Sequence, residues 1–399
     1  MNVLFLTLVE INTIQERGIY QDLLRKFASE GHHVTIVTPV ERRKKLVTNV
    51  KETSNVKILQ VKTLNIQKTN ILEKGIGTLA LEYQYLDAIK KHLSTVKFDL
   101  ILYSTPPITL YKVINFIKKR DNAYAYLLLK DIFPQNAVDM KMIKAHSILH
   151  NMFVRKEKKL YQISDTIGCM SQANVNFVLQ HNPEIKAEKV EVNPNTIEPN
   201  FINYLQEEKN AVKTKYNLPL DKKIVVYGGN LGKPQGLEFL LETISEVVLE
   251  NVFYLIVGNG TEFDKIEKWF KIQNPINAKL IQSLPKKEYD LLLGACDIGL
   301  IFLHKDFTIP NFPSRLLSYL EMKMPVIAAT DSNSDIGKII QDANCGIWVK
   351  TGDTLKIKEA IITCSLNCKT MGEKAKNLLL NSYTVNVSYQ LISNKINNV

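Results

Sequence analysis

The sequence predicts an α/β protein made of two doubly wound parallel sheets that follow one another along the chain. Apolar, β-rich segments alternate with amphipathic helical segments over almost all of the 399 residues, which is typical of parallel sheets covered by helices. The alternation weakens at about 196–222, where "IEPN" and "NLPLDKK" occur. A chain of this length can build two separate cores. We therefore predict two domains, at 1–200 and 201–379.

The first domain begins with a βαβ unit. "NVLFLTL" is the first strand, "IYQDLLRKFASEG" is a helix closed by Gly31, and "HHVTIVTP" is the second strand. Further predicted strands follow in the order "VKILQV", "FDLILYS", "AYAYLLLK", "TIGCMS" and "VEVNPN".

The second domain repeats the alternation. Its predicted strands are "KIVVYGG", "VFYLIVG", "AKLIQSL", "IGLIFL", "PVIAAT" and "GIWVK". The predicted helices between them are "GLEFLLETISEVV", "EFDKIEKWF", "KKEYDLLLGA" and one within "NFPSRLLSYLEMKM". Ligands of such sheets bind beyond the carboxyl ends of the strands, so the cleft between two such domains is the expected site.

Charge is distributed unevenly along the chain. The net charge is +11, and residues 1–195 hold 28 Lys and Arg against 18 Asp and Glu, whereas the rest is nearly neutral. A basic half indicates nucleic acid, an anionic membrane or an anionic substrate. The five cysteines form no Cys-x-x-Cys pair, which favours a reduced, cytosolic protein with buried thiols. We expect "MNVLFLTLVE" to be a strand and not a signal peptide, and no run of 18 apolar residues predicts a membrane span.

Two glycine-rich turns follow neighbouring predicted strands of the second domain. "YGGNLGKPQG" (227–236) and "VGNGTEFDK" (257–265) each follow a strand and open a helix. Glycines allow a ligand to approach the backbone closely, and Lys233 adds a positive charge, as in a loop that holds phosphate. The alternative is a pair of ordinary tight turns.

The segment "NFPSRLLSYLEMKMPVIAATD" (311–331) predicts a short helix followed by a buried strand. Pro313 suits the first turn of a helix and Ser314 suits a cap. The predicted apolar face comprises Leu316, Leu317, Leu320 and Met324. Ser314, Ser318 and Glu321 fall on another face, which with Arg315 predicts an anion site. An ordinary capped helix is the alternative.

Lys130 and Asp131 in "KDIFPQ" come directly after a predicted strand, at the mouth of the expected cleft. They have either a functional role or a structural one, as a cap or a salt bridge. In "MKMIKAHSILHNMFVRKEKKL", His146 and His150 lie one helical turn apart without a third ligand, so a basic amphipathic surface is preferred over a metal site. The chain contains no Asp-x-Asp, which argues against a donor site that holds a divalent ion.

In their order along the chain, "DIFPQ", "VEVNPN", "YGGNLGKPQGLE", "VGNGTE" and "PSRLLSYLEMKMPVIA" resemble the motifs of retaining glycosyltransferases of family 4. The resemblance covers nearly the whole chain and implies the GT-B fold. It is strongest to bacterial enzymes of capsule and O-antigen assembly that transfer N-acetyl-L-fucosamine or a related amino sugar. We also predict that a C-terminal helix at about 380–399 packs back on the first domain.

The resemblance implies that the second domain holds a UDP-linked sugar. Where the family has an Arg and a Lys at the diphosphate, this chain has Asn230 and Gln235, with Lys233 between them. The family's pair of glutamates corresponds to Pro310 and Ser318, so both glutamates are missing. The other residues expected at the donor are Gly229, Gly258, Asn259, Gly260, Asn311, Ser314, Arg315 and Glu321, the last as a substitute acceptor for the ribose hydroxyls.

The resemblance also implies how the reaction proceeds. Arg315 would neutralise the leaving phosphate, and that phosphate would itself take the proton from the incoming hydroxyl. Lys130 and Asp131 would orient the acceptor or the donor sugar. The implied acceptor is a saccharide on a polyprenyl diphosphate at the inner face of the cell membrane. We expect no cofactor apart from the UDP-sugar substrate, no metal and no nucleic acid.

Two other functions remain open at this point. A non-hydrolysing UDP-sugar 2-epimerase has the same architecture. A non-catalytic protein that binds nucleic acid or an anionic membrane would also explain the basic half, although it would not explain the paired glycine-rich turns.

Overall fold

Residues 1–66 and 71–397 are described by the computed structural model, and the chain divides into two units. The first unit comprises Met1–Glu198 with Val385–Val399, and the second comprises Pro199–Thr384. The sequence placed these divisions at 200 and 379. None of the described helices is both long enough and apolar enough to cross a membrane.

The first unit is built on a sheet. Its strands are β1 (Asn2–Leu6), β2 (His33–Glu41), β3 (Asn49–Thr53), β4 (Val56–Thr63), β5 (Leu100–Ser104), β6 (Tyr124–Leu129), β7 (Thr166–Cys169) and β8 (Val190–Val192). Its helices are α1 (Ile19–Ser29), α2 (Ile71–His92), α3 (Tyr111–Asp121), α4 (Gln135–Asp139), α5 (Ile148–Ile163), α6 (Gln172–His181) and α14 (Val385–Asn397).

The strand order in this sheet, within the described residues, is β3-β4-β2-β1-β5-β6-β7-β8. All neighbours are parallel except β3, which runs antiparallel to β4 at the edge. Every residue of β5 is buried, as expected for a central parallel strand with helices on both faces. The chain order reverses between β1 and β5, and ligands of such sheets bind beyond the carboxyl ends of the strands at that point.

The second unit has the same design with fewer strands. Its strands are β9 (Lys223–Asn230), β10 (Val252–Asn259), β11 (Ala278–Gln282), β12 (Ile298–Phe302), β13 (Val326–Thr330) and β14 (Gly346–Lys350). Its helices are α7 (Gln206–Lys215), α8 (Leu237–Glu246), α9 (Phe263–Gln273), α10 (Lys286–Gly294), α11 (Arg315–Glu321), α12 (Ile336–Asp342) and α13 (Thr354–Ser382).

The described strands of this unit follow the order β11-β10-β9-β12-β13-β14, and all are parallel. Their apolar side chains pack with α8 and α13 into one core. The order reverses between β9 and β12, so the carboxyl end of β9 is the expected ligand position. The first glycine-rich turn lies there.

Helix α14 packs on the first unit although it follows the second unit in sequence. The ring of Tyr389 meets the edge of Phe27 at 4.9 Å between centroids, and its hydroxyl lies 3.0 Å from Nε2 of His32. Lys395 pairs with Glu191 at 2.9 Å. The helix was predicted at about 380–399, of which residues 398 and 399 lie outside the described part of the chain.

Candidate functional site

The two glycine-rich turns lie side by side because β9 and β10 are paired neighbours. A Cβ atom on Gly258 would come within 2.0 Å of the carbonyl oxygen of Gly229, and one on Gly260 within 2.3 Å of that of Leu231. The N–H of Leu231 donates to the carbonyl of Asn259 at 2.9 Å. Gly229 has a φ of +121°, which side-chain-bearing residues rarely adopt. These glycines are therefore needed for the close packing of the two turns.

Arg315 lies against the first glycine-rich turn. Its guanidinium carbon is 3.6 Å from where a Cβ atom on Gly229 would be, and 4.3 Å from the ring centroid of Tyr227. Nη2 donates to Oε1 of Gln235 at 2.7 Å. Nη1 is buried and has no hydrogen-bond partner among the described residues. A buried guanidinium nitrogen without an acceptor, beside a turn of bare backbone, is suited to an anion.

Three tyrosines that the sequence analysis did not identify hold this arrangement. The hydroxyl of Tyr319 accepts from the N–H of Gly228 at 3.1 Å and donates to the carbonyl of Leu300 at 3.0 Å. The hydroxyl of Tyr289 lies so close to Gly228 that a Cβ atom there would be 1.9 Å away. Burial raises the pKa of both phenols, so they stay neutral. The third tyrosine, Tyr227, directly precedes Gly228 and Gly229 in the sequence. This position is the sequence feature from which it could have been recognised as part of the site.

Asn230 and Lys233 lie at the exposed rim of the same turn. The backbone carbonyl of Asn230 accepts a hydrogen bond from the hydroxyl of Tyr227 at 2.9 Å. The residue itself is exposed. Lys233 begins a short 3-10 turn, Lys233–Gln235, and its side chain is exposed. Of the predicted residues of this turn, Gly229 and Gln235 are the ones that lie directly against Arg315.

Helix α11 begins at Arg315 with Ser314 at its N-cap position, so Pro313 lies before the first turn and not within it. The exposed side chain of Ser314 makes no capping hydrogen bond with the described residues. The expected apolar residues are all buried. The carbonyl of Asn311, in the preceding loop, accepts from Oγ of Ser334 at 2.8 Å.

Glu321, which was expected at the donor together with Ser314 and Ser318, makes a contact that the sequence did not predict. Glu321 is only 4% exposed, and its Oε1 accepts from the backbone N–H of Asn200 at 2.7 Å. A buried backbone N–H requires a hydrogen-bond acceptor, and the Glu321 carboxylate is the acceptor for the N–H of Asn200 at the start of the second unit. Ser318 is half-buried on α11. Glu321 therefore has a structural role in this structure.

In the first unit, Lys130 and Asp131 follow β6 in a turn fixed by Thr105. Oγ1 of Thr105 accepts from the N–H of Lys130 at 3.0 Å and donates to the carbonyl of Asp131 at 3.0 Å. The carboxylate of Asp131 accepts from Nδ2 of Asn136 with both oxygens, each at 2.7 Å. The salt-bridge alternative is wrong, because within the described residues Lys130 and Asp131 form no ion pair with each other.

Burial shifts the pKa of both charged groups toward neutrality. It lowers the pKa of Lys130 to about 7 and raises that of Asp131 to about 6. Among the described residues, the Lys130 amine donates only a long hydrogen bond, 3.4 Å to the carbonyl of Asn193. A buried amine and a buried carboxyl that both titrate near neutral pH are typical of functional sites.

The same edge of the first sheet carries unsatisfied acceptors. Oδ1 of Asn193 and Oδ1 of Asn195 are buried and lack a hydrogen-bond partner among the described residues. Both residues follow β8, at the carboxyl ends of the strands where Lys130 also lies. Buried amide oxygens normally have partners, so this edge is suited to a ligand that offers hydroxyl or amide donors.

His146 and His150 lie close together at the start of α5. The N–H of His146 donates to Nδ1 of His150 at 3.3 Å, and the ring centroids are 6.0 Å apart. Across residues 1–66 and 71–397, no three His, Cys, Asp or Glu side chains are grouped as metal ligands.

Comparison with known proteins gives three findings. Residues 208–378 match the family model described as "Glycosyl transferases group 1". The chain is 21% identical over 326 residues to "Probable glycosyltransferase WbjE" of Pseudomonas aeruginosa, covering 81% of this chain and 80% of that protein. It is 25% identical over 181 residues to "Putative colanic acid biosynthesis glycosyl transferase WcaI" of Escherichia coli strain K12, covering 44% and 43%.

Solved structures share the fold over the full length of the chain. Anabaena Alr3699/HepE in complex with UDP-glucose has a TM-score of 0.71 at 15% identity, and all of both chains is covered. Sucrose-phosphate synthase from Thermosynechococcus elongatus has a TM-score of 0.74 at 14% identity, with 100% of this chain and 98% of that chain covered.

Proposed function

Since the chain is a glycosyltransferase with the GT-B fold, we propose that it moves a sugar from a UDP-sugar to a saccharide carried on a polyprenyl diphosphate. The sugar is N-acetyl-L-fucosamine or a related amino sugar, it is transferred with retention, and the product enters capsule or another surface polysaccharide. The chain acts in the cytoplasm, at the inner face of the cell membrane.

The observation that carries this proposal is the guanidinium of Arg315, which lies against Gly229 and whose buried Nη1 has no hydrogen-bond partner among the described residues. The diphosphate of a nucleotide sugar lies across the two glycine-rich turns and accepts from this nitrogen. As the bond between sugar and phosphate breaks, negative charge grows on the leaving phosphate, and a charge-assisted hydrogen bond to it becomes stronger. The buried tyrosines keep the guanidinium in place, so no reorganisation is needed during the reaction.

Retention does not require a nucleophile from the protein in this mechanism. The leaving phosphate takes the proton from the incoming hydroxyl on the face of the sugar that it departs from. Lys130 and Asp131 orient the sugar or the acceptor, and a Lys130 amine with a pKa of about 7 can hold or release a proton near neutral pH.

Two relatives support the choice of substrates. HepE has been crystallised with UDP and with UDP-glucose, and WcaI is named for colanic acid biosynthesis. The basic first unit supports an anionic, membrane-associated acceptor, because positive charge near an anionic leaflet contributes about 1 kcal/mol per Lys or Arg.

A thermal-shift panel of sugar nucleotides tests the donor. UDP and UDP-N-acetylamino sugars should stabilise the protein, by about 2.7 kcal/mol at a concentration of 100 times the dissociation constant. GDP- and CMP-sugars should have little effect. Arg315→Ala should lose most of the UDP-induced shift, whereas Lys374→Ala, which removes an exposed cation of the same unit, should keep it. A panel in which no UDP compound stabilises the wild-type protein would contradict the proposal.

A further inference from the structure

A groove of about 540 Å³ lies in the first unit, apart from the turn that holds Lys130 and Asp131. Its walls are α2, the start of α3 with the loop before it, and α5. A cavity of this size matches those that hold small organic ligands.

The groove carries a concentrated positive charge. Four cations line it, namely Lys112, Arg155, Lys156 and Lys159. Its acidic residue, Glu82, is 4% exposed, and its Oε1 accepts from the backbone N–H of Lys112 at 2.5 Å. The carboxylate offsets one of the four positive charges, so the groove keeps a net positive charge of three from these side chains.

Two of these four cations, Arg155 and Lys156, are available to a ligand, whereas Lys112 and Lys159 lie against tyrosine side chains. Lys112 donates to the hydroxyl of Tyr83 at 2.5 Å, and the amine of Lys159 lies 5.9 Å from the ring centroid of Tyr111. Arg155 and Lys156, in contrast, form no ion pair with any of the described residues. Both project from α5 into the same groove. A guanidinium and an ammonium in one groove offer the charged donors that a diphosphate prefers.

Apolar side chains also line the groove. Ile108 is buried at 3% exposure, Met152 is half-buried, and Ile148 at the beginning of α5 is 92% exposed. An isoleucine so fully exposed beside a cationic groove offers a surface for hydrocarbon. The groove thus combines sites for an anionic head and for an apolar chain.

We infer that this groove binds the diphosphate and the adjoining isoprene units of the lipid-linked acceptor. This inference rests on the proposed function, and it deepens it by assigning the lipid diphosphate to named residues. Arg155 and Lys156 accept the diphosphate, and Ile108, Ile148 and Met152 contact the chain. The ring of Phe153 on α5 packs against Phe133 at 4.9 Å, so the helix that lines the groove also supports the turn containing Asp131.

Calorimetric titration of the full chain with farnesyl diphosphate tests the inference. UDP is present at saturation throughout, so that the donor site cannot take the probe. Farnesyl diphosphate should bind at least about tenfold more tightly than inorganic diphosphate. The double variant Arg155→Glu/Lys156→Glu should weaken binding of farnesyl diphosphate by about tenfold or more.

Two further variants control the result. Lys51→Glu/Lys97→Glu makes the same change in net charge at exposed positions away from the groove, and should leave the affinity within about twofold. Ile148→Ser should weaken binding of farnesyl diphosphate and leave binding of inorganic diphosphate unchanged. Because Ile148 is exposed, this variant tests the groove even where the charge reversal impairs folding.

Equal affinities for farnesyl diphosphate and inorganic diphosphate would overturn the inference, as would equal affinities of the wild-type protein and Arg155→Glu/Lys156→Glu. UDP titrated alone separates the two proposals. If UDP binds and farnesyl diphosphate does not, the groove inference fails and the proposed function stands. If UDP does not bind, the proposed function itself fails.

Discussion

Arg315 is the residue on which the donor site most depends, because its guanidinium lies against the first glycine-rich turn and its buried Nη1 lacks an acceptor among the described residues. Arg315→Ala should lower kcat/KM by about 30- to 900-fold, which corresponds to a loss of about 2–4 kcal/mol of transition-state stabilisation. Arg315→Lys should recover part of the loss, since an ammonium keeps the charge but not the planar fork. A kcat/KM near that of the wild type in the Ala variant would rule out contact with the leaving phosphate.

From the buried carboxyl of Glu157 on α5 we predict that the stability of the folded protein depends on pH. Burial raises the pKa of this carboxyl from 4.5 to about 7, while the hydroxyl of Tyr161 donates to it at 2.9 Å. The folded state therefore holds the proton more tightly than the unfolded state, and stability is lost as the pH rises through about 7.

The Glu157→Gln substitution should remove this loss of stability at high pH. Relative to the wild type, the free energy of unfolding of the variant should rise by about 1–3 kcal/mol between pH 5 and pH 8. Urea unfolding at several pH values measures it, with the exposed Glu188→Gln as a control that should show no such trend. Parallel stability curves for Glu157→Gln and the wild type would contradict the assignment of a raised pKa.

At the residue scale, the sequence predicted which positions surround the glycine-rich turns but not how they are held. Arg315, Gln235 and Gly229 were identified from local pattern and resemblance, and the structure brings them together. Tyr289 and Tyr319 come from α10 and α11, which are distant in sequence, and only tertiary packing brings their hydroxyls to Gly228. The hydrogen bond between Glu321 and the N–H of Asn200 was not predicted, because the two residues lie 121 residues apart.

Helix α5 is the element that we expect to meet the membrane. Ile148 and Leu149 are 92% and 49% exposed at its start, next to lysines and an arginine. Phe153 does not belong to this surface, because it packs against Phe133. An amphipathic helix with exposed apolar residues and flanking cations can lie in the interface of an anionic leaflet.

Vesicle co-sedimentation measures this association. Binding should require anionic lipid, fall steeply with added salt, and weaken by about tenfold or more in Ile148→Ser/Leu149→Ser. The matched control is Ile272→Ser/Ile276→Ser, which removes two exposed isoleucines of the second unit and should change nothing. Equal binding to neutral vesicles, or none to anionic vesicles at low salt, would exclude this role for α5.

At the element scale, periodicity predicted the buried elements well and the exposed ones poorly. β14 was predicted with the bounds that the structure gives it, because "GIWVK" is an apolar run at a clear boundary. β3 was missed, although its hairpin with β4 is local, because its sequence "NVKET" is mostly exposed and has no clear apolar pattern. α7 was missed within the weakly patterned stretch at about 196–222, because only Lys213 in it is buried and no apolar stripe marks it.

At the scale of the whole molecule, the division into a basic half and a nearly neutral half matches the division into two units. The sequence could place this boundary because the alternation of strands and helices weakens there. The repeated doubly wound pattern was sufficient to predict both sheets. The return of α14 to the first unit depends on contacts such as that of Tyr389 with Phe27, which no local pattern encodes.

Metal independence is a prediction about the whole enzyme. The chain has no Asp-x-Asp, and Arg315 with the backbone of the two turns supplies positive potential for the diphosphate. Sugar transfer should therefore continue in excess EDTA at a rate within about twofold of that with Mg²⁺. Loss of activity in EDTA that Mg²⁺ or Mn²⁺ restores would show that a divalent ion is part of the donor site.

Transfer from a UDP-sugar to a lipid-linked acceptor, followed by determination of the anomeric configuration of the product, is the most direct measurement of the proposed reaction. UDP-N-acetylamino sugars and a polyprenyl-diphosphate saccharide should together give UDP and a longer saccharide that keeps the anomeric configuration of the donor. Without acceptor the donor should stay intact. Conversion of the donor to an epimer in the absence of acceptor, or a product of inverted configuration, would contradict a retaining glycosyltransferase.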